Sequence, residues 1–323
     1  MMGNPIVLIT GGAGFIGTNL ARQLLDEGYD LRVLDNFSQV GPEMVRKATG
    51  NWDSDRVELI EGDIREPARL SPILEGVDAV VHLAAFTDVP ASVDQPETDV
   101  ETNARGTFHV LESARKANVS SFVFASSNAV VGEVDGAVNE TCVPAPLAPY
   151  GASKLYGEAL CSVYWNTYDL HTTSLRFANA YGPYSGHKTS VVAKFLRRAS
   201  RGKNLEIYGD GKQTRDFIHA EDIARALSSA LECQHPGGQV YQVATARETK
   251  ILDLAGWVQE LANDSGISVN VTHEDPREGE IRYNYSDIDK AKNELNWKPR
   301  RRLRSALKTL WEREGVGSVT TSL

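Results

Sequence analysis

The chain has 323 residues, of which 41% are hydrophobic and 24% are charged, and its formal net charge at pH 7 is −9. This composition is ordinary for a soluble globular protein, and the length is sufficient for two domains or for one large α/β domain with a smaller appendage. The acidic balance argues against a nucleic-acid binder, because such proteins neutralise phosphates with clustered Lys and Arg.

Short apolar strands alternate with amphipathic helices in the first half of the chain. The predicted strands are residues 5–9, 31–34, 57–60, 79–82, 122–125 and 172–175, and the predicted helices are 15–25, 101–117 and a long helix that begins near Pro149. Continuous apolar runs are typical of strands covered on both faces, and helices between successive strands imply right-handed crossovers. The pattern predicts an α/β fold with a doubly wound parallel sheet, the Rossmann fold.

After about residue 180 the alternation becomes less regular. Helices are predicted at 191–201, 220–231, 251–263, 287–295 and 303–312, and strands at 205–208, 240–243 and 269–272. This arrangement predicts a smaller, mixed α/β C-terminal substrate domain. We therefore divide the chain into a cofactor domain at residues 1–178, to which 215–245 returns, and a substrate domain at 179–214 and 246–315.

The sequence gives no indication of a metal, a disulfide framework or a membrane segment. Cys142, Cys161 and Cys233 are few, odd in number and far apart, which fits a reducing compartment. No segment offers the ~18 apolar residues needed to span a bilayer, and the first residues lack the pattern of a signal peptide. We expect a cytoplasmic protein without metal, membrane or nucleic-acid partners.

A glycine-rich turn at residues 10–17 joins the first strand to the first helix. Gly11, Gly14 and Gly17 let the chain turn tightly, let a pyrophosphate approach the backbone and let the helix pack on the sheet. The helix N-terminus favours anions. Asp35 closes the second strand, where a carboxylate binds a ribose diol and repels a 2′-phosphate; its alternative role is that of a turn residue. The turn predicts a site for NAD rather than NADP.

Tyr150 and Lys154 lie four residues apart on the predicted long helix, which places the phenol and the ammonium on one face. A neighbouring cation stabilises a phenolate. We therefore expect Lys154 to lower the pKa of Tyr150 and to make this side chain usable as a base.

With these motifs the chain resembles the extended short-chain dehydrogenase/reductase superfamily and, within it, the NAD-dependent nucleotide-sugar epimerases and dehydratases. The resemblance covers nearly the whole chain. The segments that carry it are residues 10–17, Asp63, 83–85, Ser126 with Ser127, Tyr150 with Lys154, 176–183, 215–219, Arg277 and 296–299.

The resemblance implies NAD as cofactor and a UDP-sugar as substrate. The residues implied to contact the cofactor are Gly11, Gly14, Phe15, Ile16, Gly17, Asp35, Asn36, Asp63, Ile64, Leu83, Ala84, Ala85, Asn103, Ser126, Tyr150, Lys154 and Phe177. Those implied to contact the substrate are Thr87, Ser127, Asn179, Val191, Val192, Tyr208, Arg215 and Arg277. A loop cap is the alternative for Asp63, and a surface ion pair is the alternative for each of the two arginines.

Ser127, Tyr150 and Lys154 are the catalytic residues that the resemblance implies. Tyr150 would take the proton of the sugar 4-hydroxyl while hydride passes to NAD, Lys154 would bind the nicotinamide ribose, and Ser127 would orient the hydroxyl. A cap at the end of the strand is the alternative role of Ser127. Three further polar residues are interpreted as structural, namely His82, Asp216 and His219.

Asn128 and Ala129 follow the catalytic serine and bear on the reaction type. Resembling dehydratases carry an Asp-Glu pair there, and decarboxylases usually carry Glu at the second position. Neither Asn nor Ala acts as an acid or base, so the sequence favours 4-epimerisation of UDP-glucose/UDP-galactose or their N-acetyl or uronic relatives. A dehydratase or decarboxylase on the same ligands and a non-catalytic NAD and sugar-nucleotide binding protein remain as alternatives. Val131, at a position where the family usually has Tyr, leaves the range of sugars open.

Helices 101–117 and 153–168 match those through which resembling enzymes form a four-helix bundle, which implies a homodimer. Residues 185–190 are interpreted either as a cationic flap over the diphosphate or as a solvated loop.

Overall fold

A computed structural model of the protein describes residues 3–49, 55–233, 235–276 and 281–313. The strands in this part of the chain are β1 (Ile6–Thr10), β2 (Asp30–Asp35), β3 (Val57–Glu61), β4 (Ala79–His82), β5 (Ser121–Ser127), β6 (His171–Phe177), β7 (Asn179–Tyr181), β8 (Leu205–Tyr208), β9 (Thr214–Arg215), β10 (Phe217–His219), β11 (Gln239–Val243), β12 (Thr249–Lys250) and β13 (Val271–Glu274). The α-helices are α1 (Phe15–Asp26), α2 (Pro42–Thr49), α3 (Pro67–Leu74), α4 (Val89–Asp94), α5 (Pro96–Asp99), α6 (Gly106–Lys116), α7 (Pro149–Tyr168), α8 (Val191–Ala199), α9 (Ala220–Leu231), α10 (Ile251–Asp264), α11 (Asp289–Glu294) and α12 (Leu303–Arg313).

The central sheet is parallel and has the strand order β3-β2-β1-β4-β5-β6-β11 among the described residues. The chain leaves β1 in one direction through β2 and β3, and returns to β4 on the other side. A crevice opens at the carboxyl ends of β1 and β4, where the direction changes, and ligands bind at such a switch point in open α/β sheets. The predicted doubly wound parallel α/β fold is confirmed.

Helices cover both faces of the sheet because its strands are apolar on both sides. In β1, Val7 and Ile9 join one core with α1 and α9, whereas Leu8 joins a second core with α6 and α7. Successive side chains of a strand point to opposite faces of the sheet, and here both faces are buried. All four residues of β4 are buried, as expected for a central strand.

A third core forms the smaller C-terminal lobe. It contains α8, β8, α10 and α12, and it closes on Tyr181, Phe217 and Trp311. Residues of α9 and β11 pack in the first core. Residues 288–297 contribute to it as well: Trp297 is buried there and its Nε1 donates to Asp222 O at 2.9 Å. The division of the chain into a cofactor domain and a substrate domain stays a prediction.

Several elements differ from the sequence prediction. The single helix predicted at residues 101–117 begins as a π-helical segment, Val100–Arg105, which continues into α6. The short helices α2, α3, α4 and α5 were not predicted, because each is too brief to show a clear apolar period. None of the described helices is long and apolar enough to cross a membrane.

A buried ion pair fixes α7 against the sheet. Arg176 in β6 donates to Glu158 in α7 at 2.8 and 2.7 Å, and the two side chains are only 4% and 5% exposed. The Ser126 hydroxyl in β5 donates to the same carboxylate at 2.5 Å. Since Glu158 lies one turn after Lys154, this network sets the position of the helix that carries Tyr150.

Candidate active site

The glycine turn packs closely at the switch point of the sheet. Gly11 has φ +66°, and a Cβ there would lie 2.6 Å from Ala84 N, so that no larger residue fits beside the chain that leaves β4. A Cβ on Gly17 would lie 2.5 Å from Gly12 Cα. Gly14 is the N-cap of α1 and offers no side-chain cap, which leaves the first N–H groups of the helix open to an anion. The turn therefore fits a dinucleotide diphosphate.

Asp35 lies at the end of β2 and holds the glycine turn. Its Oδ2 accepts from Ala13 N at 3.0 Å and its Oδ1 from Phe37 N at 2.9 Å, and burial raises the pKa of its carboxyl. The turn-residue interpretation of Asp35 thus describes part of its role. Each carboxylate oxygen retains acceptor capacity, so contact with a ribose diol stays a prediction.

Asp63 and Asn36 face each other beyond β2 and β3. Asn36 Nδ2 donates to Asp63 Oδ2 at 3.0 Å, and Arg65 donates to both oxygens of Asp63. The hydrogen bonds from Arg65 hold the pKa of the Asp63 carboxyl well below its usual range. Asp63 is therefore ionised and committed to its neighbours. Ile64, the next residue, is 5% exposed and lies against Gly106 at the start of α6.

Asn103 holds the chain that follows β4. Its amide nitrogen donates to Phe86 O at 3.0 Å and to Asp99 Oδ2 at 2.7 Å, and its oxygen accepts from Phe86 N at 2.7 Å. Because both polar atoms already have protein partners, its observed role is to shape the cofactor wall. Direct contact of Asn103 with a cofactor stays a prediction.

Other residues expected at the cofactor occupy the same edge of the sheet. Leu83, Ala84 and Ala85 follow β4, Phe15 and Ile16 open α1, and Phe177 ends β6. Ser126 is different, since its hydroxyl points into the Glu158 network. Any contact that Ser126 makes with the cofactor would have to come from its backbone.

The structure brings the three expected catalytic residues together. Ser127 ends β5, and its hydroxyl hydrogen-bonds the Tyr150 side chain and accepts from Ala129 N at 3.1 Å, as the cap of the 3-10 turn Asn128–Val130. Lys154 is 3% exposed, and its Nζ donates to Ala125 O at 2.8 Å and lies 5.8 Å from the Tyr150 ring centroid. The cap considered as the alternative role of Ser127 is thus observed, and its catalytic role stays a prediction.

Burial governs the ionisation of both Tyr150 and Lys154. It raises the pKa of Tyr150 to about 12, the hydrogen bond with Ser127 lowers it, and the negative charge of Asp99 adds to the rise. Burial also lowers the pKa of Lys154 to about 8. Because desolvation penalises the charged form of each side chain, the pKa of Tyr150 is shifted in the direction opposite to the one expected from Lys154.

The expected substrate residues that the structure describes lie on several separate elements. Asn179 in β7 is exposed, and its backbone and side-chain nitrogens donate to Asp216 O at 2.9 and 3.3 Å. Val191 opens α8, whereas the Val192 side chain is 1% exposed in the core, so that only its backbone is available to a ligand. Arg215 Nη1 donates to Ile281 O at 2.8 Å. Tyr208 ends β8 and Thr87 follows β4, while Arg277 lies outside the described residues.

Residues 185–190 connect the two lobes. Lys188 Nζ donates to Thr87 Oγ1 at 2.9 Å, and Thr189 Oγ1 donates to Asp88 Oδ2 at 2.9 Å. Arg197 in α8 donates to the carbonyl oxygens of Gly186 and Lys188. The segment is therefore held across the crevice by side-chain contacts, unlike the solvated loop that was one of the two interpretations.

The residues interpreted as structural are confirmed in that role. His82 is fully buried between the hydroxyls of Thr10 and Thr107, and burial lowers its pKa to about 3. Asp216 accepts from both the backbone and the hydroxyl of Thr245. His219 caps α9 by accepting from Glu221 N at 3.2 Å.

Two acidic residues near the site were missed by the sequence analysis. Asp99 accepts a hydrogen bond from Asn103, and its negative charge raises the pKa of Tyr150. The negative charge of Glu158 raises the pKa of Lys154 and so stabilises its ammonium. The position of Glu158, one helical turn after Lys154 on the same face, was a signal for its role. Asp99 had none, because its proximity depends on how the π-helical segment packs on α7.

Residues 7–244 match the sequence profile of the NAD dependent epimerase/dehydratase family. The chain belongs to this family. A putative UDP-glucose 4-epimerase of Methanocaldococcus jannaschii is 34% identical over 310 residues, which cover 94% of this chain and 96% of that protein. dTDP-glucose 4,6-dehydratases match as well, for example that of Streptomyces niveus, with 31% identity over 91% of this chain and 88% of that protein.

Solved structures of this epimerase/dehydratase family share the fold. UDP-glucose 4-epimerase from Thermotoga maritima, solved with UDP-glucose, has a TM-score of 0.87 at 33% identity and covers 95% of this chain and 97% of its own. UDP-glucuronic acid 4-epimerase from Bacillus cereus, solved with UDP-glucuronic acid and NAD, has a TM-score of 0.86 at 31% identity and covers 95% and 98%. NAD is the cofactor of this family, and the open glycine turn fits it.

The turn gives a direct test of the cofactor site. We expect Gly17→Ala to weaken NAD binding by about 10-fold or more, because strain of ~1–3 kcal/mol arises where the new Cβ meets Gly12. Isothermal titration with NAD measures the change. Gly256→Ala in α10 is the matched control, since its Cβ would meet no atom within 4 Å and should leave affinity unchanged. Equal NAD affinity in both variants would contradict the assigned site.

Proposed function

We propose that the protein catalyses NAD-dependent 4-epimerisation of a UDP-hexose. The observation that carries this proposal is the convergence of Ser127, Tyr150 and Lys154 beside the glycine turn. The 3-10 turn that follows Ser127 supplies no further acid or base, because its first two residues are Asn128 and Ala129. The family relationship and the epimerases among the relatives support it.

Each catalytic side chain has a distinct task in this proposal. Tyr150 takes the proton of the sugar 4-hydroxyl and later returns it, and Ser127 orients that hydroxyl through its bond with the phenol. NAD bound at the glycine turn would supply reversible hydride transfer at C4, and rotation of the 4-keto sugar between the two transfers would present its other face. Lys154, held by Ala125 O, keeps a positive charge beside the phenol. The backbone at the start of α8 and Arg215 would hold the diphosphate.

Dehydratases among the relatives make elimination the second candidate, and the side chain of Asn128 disfavours it. This residue is 7% exposed, and its amide donates to Ser286 Oγ at 2.8 Å. A carboxamide has no pKa near neutrality and does not act as a general acid or base, so Asn128 cannot supply the group that elimination would need after Ser127. Ala129 likewise carries no ionisable group.

The reaction is tested with purified protein and a panel of UDP-sugars. We expect UDP-glucose, its N-acetyl analogue or its uronic analogue to be converted at C4 with unchanged mass, followed by NMR and mass spectrometry. Tyr150→Phe should lower turnover by at least ~10²-fold and preserve substrate binding. Tyr168→Phe, exposed at the C-terminal end of the same helix, is the control and should be fully active. Loss of water or carbon dioxide from the product would favour the dehydratase or decarboxylase instead.

The pH profile tests the role of Ser127. Because the phenolate is the active form and burial raises the pKa of Tyr150, kcat/KM should rise with pH through the neutral range. Ser127→Ala removes a hydrogen bond that lowers this pKa, so kcat/KM should fall by ~10- to 100-fold. Because the pKa of Tyr150 lies above pH 9 in both proteins, the phenolate fraction falls by a similar factor at pH 7 and at pH 9, and the variant should keep the wild-type slope of kcat/KM with pH. Ser305→Ala, on the surface of α12, should keep the wild-type activity and profile. No loss in Ser127→Ala, or a loss that disappears at pH 9, would contradict the effect on the Tyr150 pKa.

We also propose that the protein is a homodimer through α6, α7 and the segment before them. Apolar side chains are exposed there at Val100 (51%), Phe108 (39%), Tyr156 (43%) and Val163 (49%). Tyr156 and Val163 lie two turns apart on one face of α7, which is the spacing of a packing stripe. Such a patch rarely faces water unless a partner covers it.

The proposed dimer predicts the solution mass. Light scattering should give twice the mass of the chain for the wild type, and Val163→Glu should shift it to the monomer because a charge would be buried in the interface. Leu252→Glu, at an apolar residue of α10 that is 41% exposed, is the matched control and should remain dimeric. A monomeric wild type would refute the interface.

A further inference from the structure

A cleft lined by arginines lies outside the catalytic crevice. It is formed by the outer faces of α1 and α9, the segment after Trp297 and the end of α12. Its cationic residues are Arg22, Arg225, Arg300, Arg301 and Arg313, and its acidic residues are Asp26, Glu221 and Asp222. The cleft is thus locally cationic in a chain whose net charge is −9.

A buried carboxylate organises this cleft. Asp222 is fully buried and accepts from the backbone N–H of Arg300 at 3.0 Å and of Arg301 at 2.9 Å, and it also pairs with the guanidinium of Arg225. The indole of Trp297 donates to the carbonyl of Asp222. The exposed arginine segment is therefore fixed in place by interior groups, which a solvated charged surface does not require.

Only part of the cationic charge is neutralised within the protein. Arg301 pairs with Glu221, and Arg225 pairs with Asp222. The guanidinium groups of Arg22, Arg300 and Arg313 make no hydrogen bond or ion pair with any residue that the structure describes. Three guanidinium forks from three separate elements thus remain for a ligand.

Two tyrosines nearby show further unsatisfied or strained geometry. The Tyr181 hydroxyl is buried without a hydrogen-bond partner among the described residues, and burial raises its pKa, with a further rise from the negative charge of Asp222. Tyr184 lines the cleft with φ +68°, a left-handed conformation that is costly for a bulky residue and is concentrated at functional sites.

We propose that this arginine cleft binds a diphosphate, supplied either as a free inorganic anion or as part of a nucleotide. Planar guanidinium forks bind phosphate oxygens in pairs, and preorganised forks lose little entropy on binding. Arg22 on α1 lines the cleft together with residues of α9, and no residue of the glycine turn lines it, so this second site is separate from the cofactor turn. The proposal does not depend on the reaction proposed above.

The test uses protein saturated with NAD and UDP, so that the catalytic crevice is occupied. Pyrophosphate is then titrated by calorimetry into the wild type and into the cleft variant R22Q/R300Q/R313Q. We expect saturable binding to the wild type and an affinity lower by about 10-fold or more in the variant, because three charge-assisted contacts are lost. Rising salt should weaken the wild-type binding.

The matched control is R302Q/R304Q/K308Q, which removes three cations from exposed positions outside the cleft. Its pyrophosphate affinity should stay within about 2-fold of the wild type, since distant surface charges are screened. Thermal unfolding checks that both triple variants fold; R300Q alone, with a smaller loss in the same direction, replaces the cleft triple if it does not.

The outcomes decide between the ligand sources and against the proposal. Tighter binding of ADP than of pyrophosphate assigns the cleft to a nucleotide, with the Tyr184 ring beside the base. Equal binding assigns it to a free diphosphate. No saturable binding to the wild type, or equal losses in cleft and control variants, would overturn the proposal, because the arginines would then act only as diffuse surface charge.

Discussion

A buried ion pair between Glu158 and Arg176 is the interaction on which the catalytic geometry depends. It joins α7 to β6, and the Ser126 hydroxyl extends it to β5, so that the helix and the two strands are held in fixed relative positions. Ser127 follows Ser126, Lys154 precedes Glu158 by one turn, and Tyr150 by two. A buried pair that loses one partner typically costs ~3–5 kcal/mol. Such a loss here would disturb Ser127, Tyr150 and Lys154 together.

Burial fixes the positions of the side chains in this site and also shifts their pKa values away from the charged forms. Lys154 is fixed because its ammonium is enclosed by Ala125 O and the rings of Phe124 and Tyr150. The same enclosure raises the pKa of the phenol and lowers that of the ammonium. The protein counters part of this cost with the Ser127 hydrogen bond, and a cation bound beside the phenol would counter more. The chemistry therefore depends on a loaded pocket.

The smaller lobe contributes through connections as well as through its own core. Lys188 and Thr189 reach across to Thr87 and Asp88, and Asn128 reaches from the catalytic turn to Ser286. Asp216, fully buried, holds the strand ends from which the lobe begins. The segment before α8 is thus tied to the chain that follows β4, and the turn after β5 is tied to Ser286.

The sequence by itself determined the features that depend on local pattern. Residues 79–82, 205–208 and 220–231 form β4, β8 and α9 with the predicted bounds, because apolar period and turn residues act over short distances. The glycine spacing and the Tyr150–Lys154 separation likewise indicated the cofactor turn and the shared helix face. Tertiary structure decided the rest: the engagement of Asn103, the inward turn of Ser126, the raised pKa of Tyr150, the return of residues 288–297 to the first core and the arginine cleft. Each of these is set by desolvation or by contact between residues distant in the chain, and neither quantity is encoded in a local stretch of sequence.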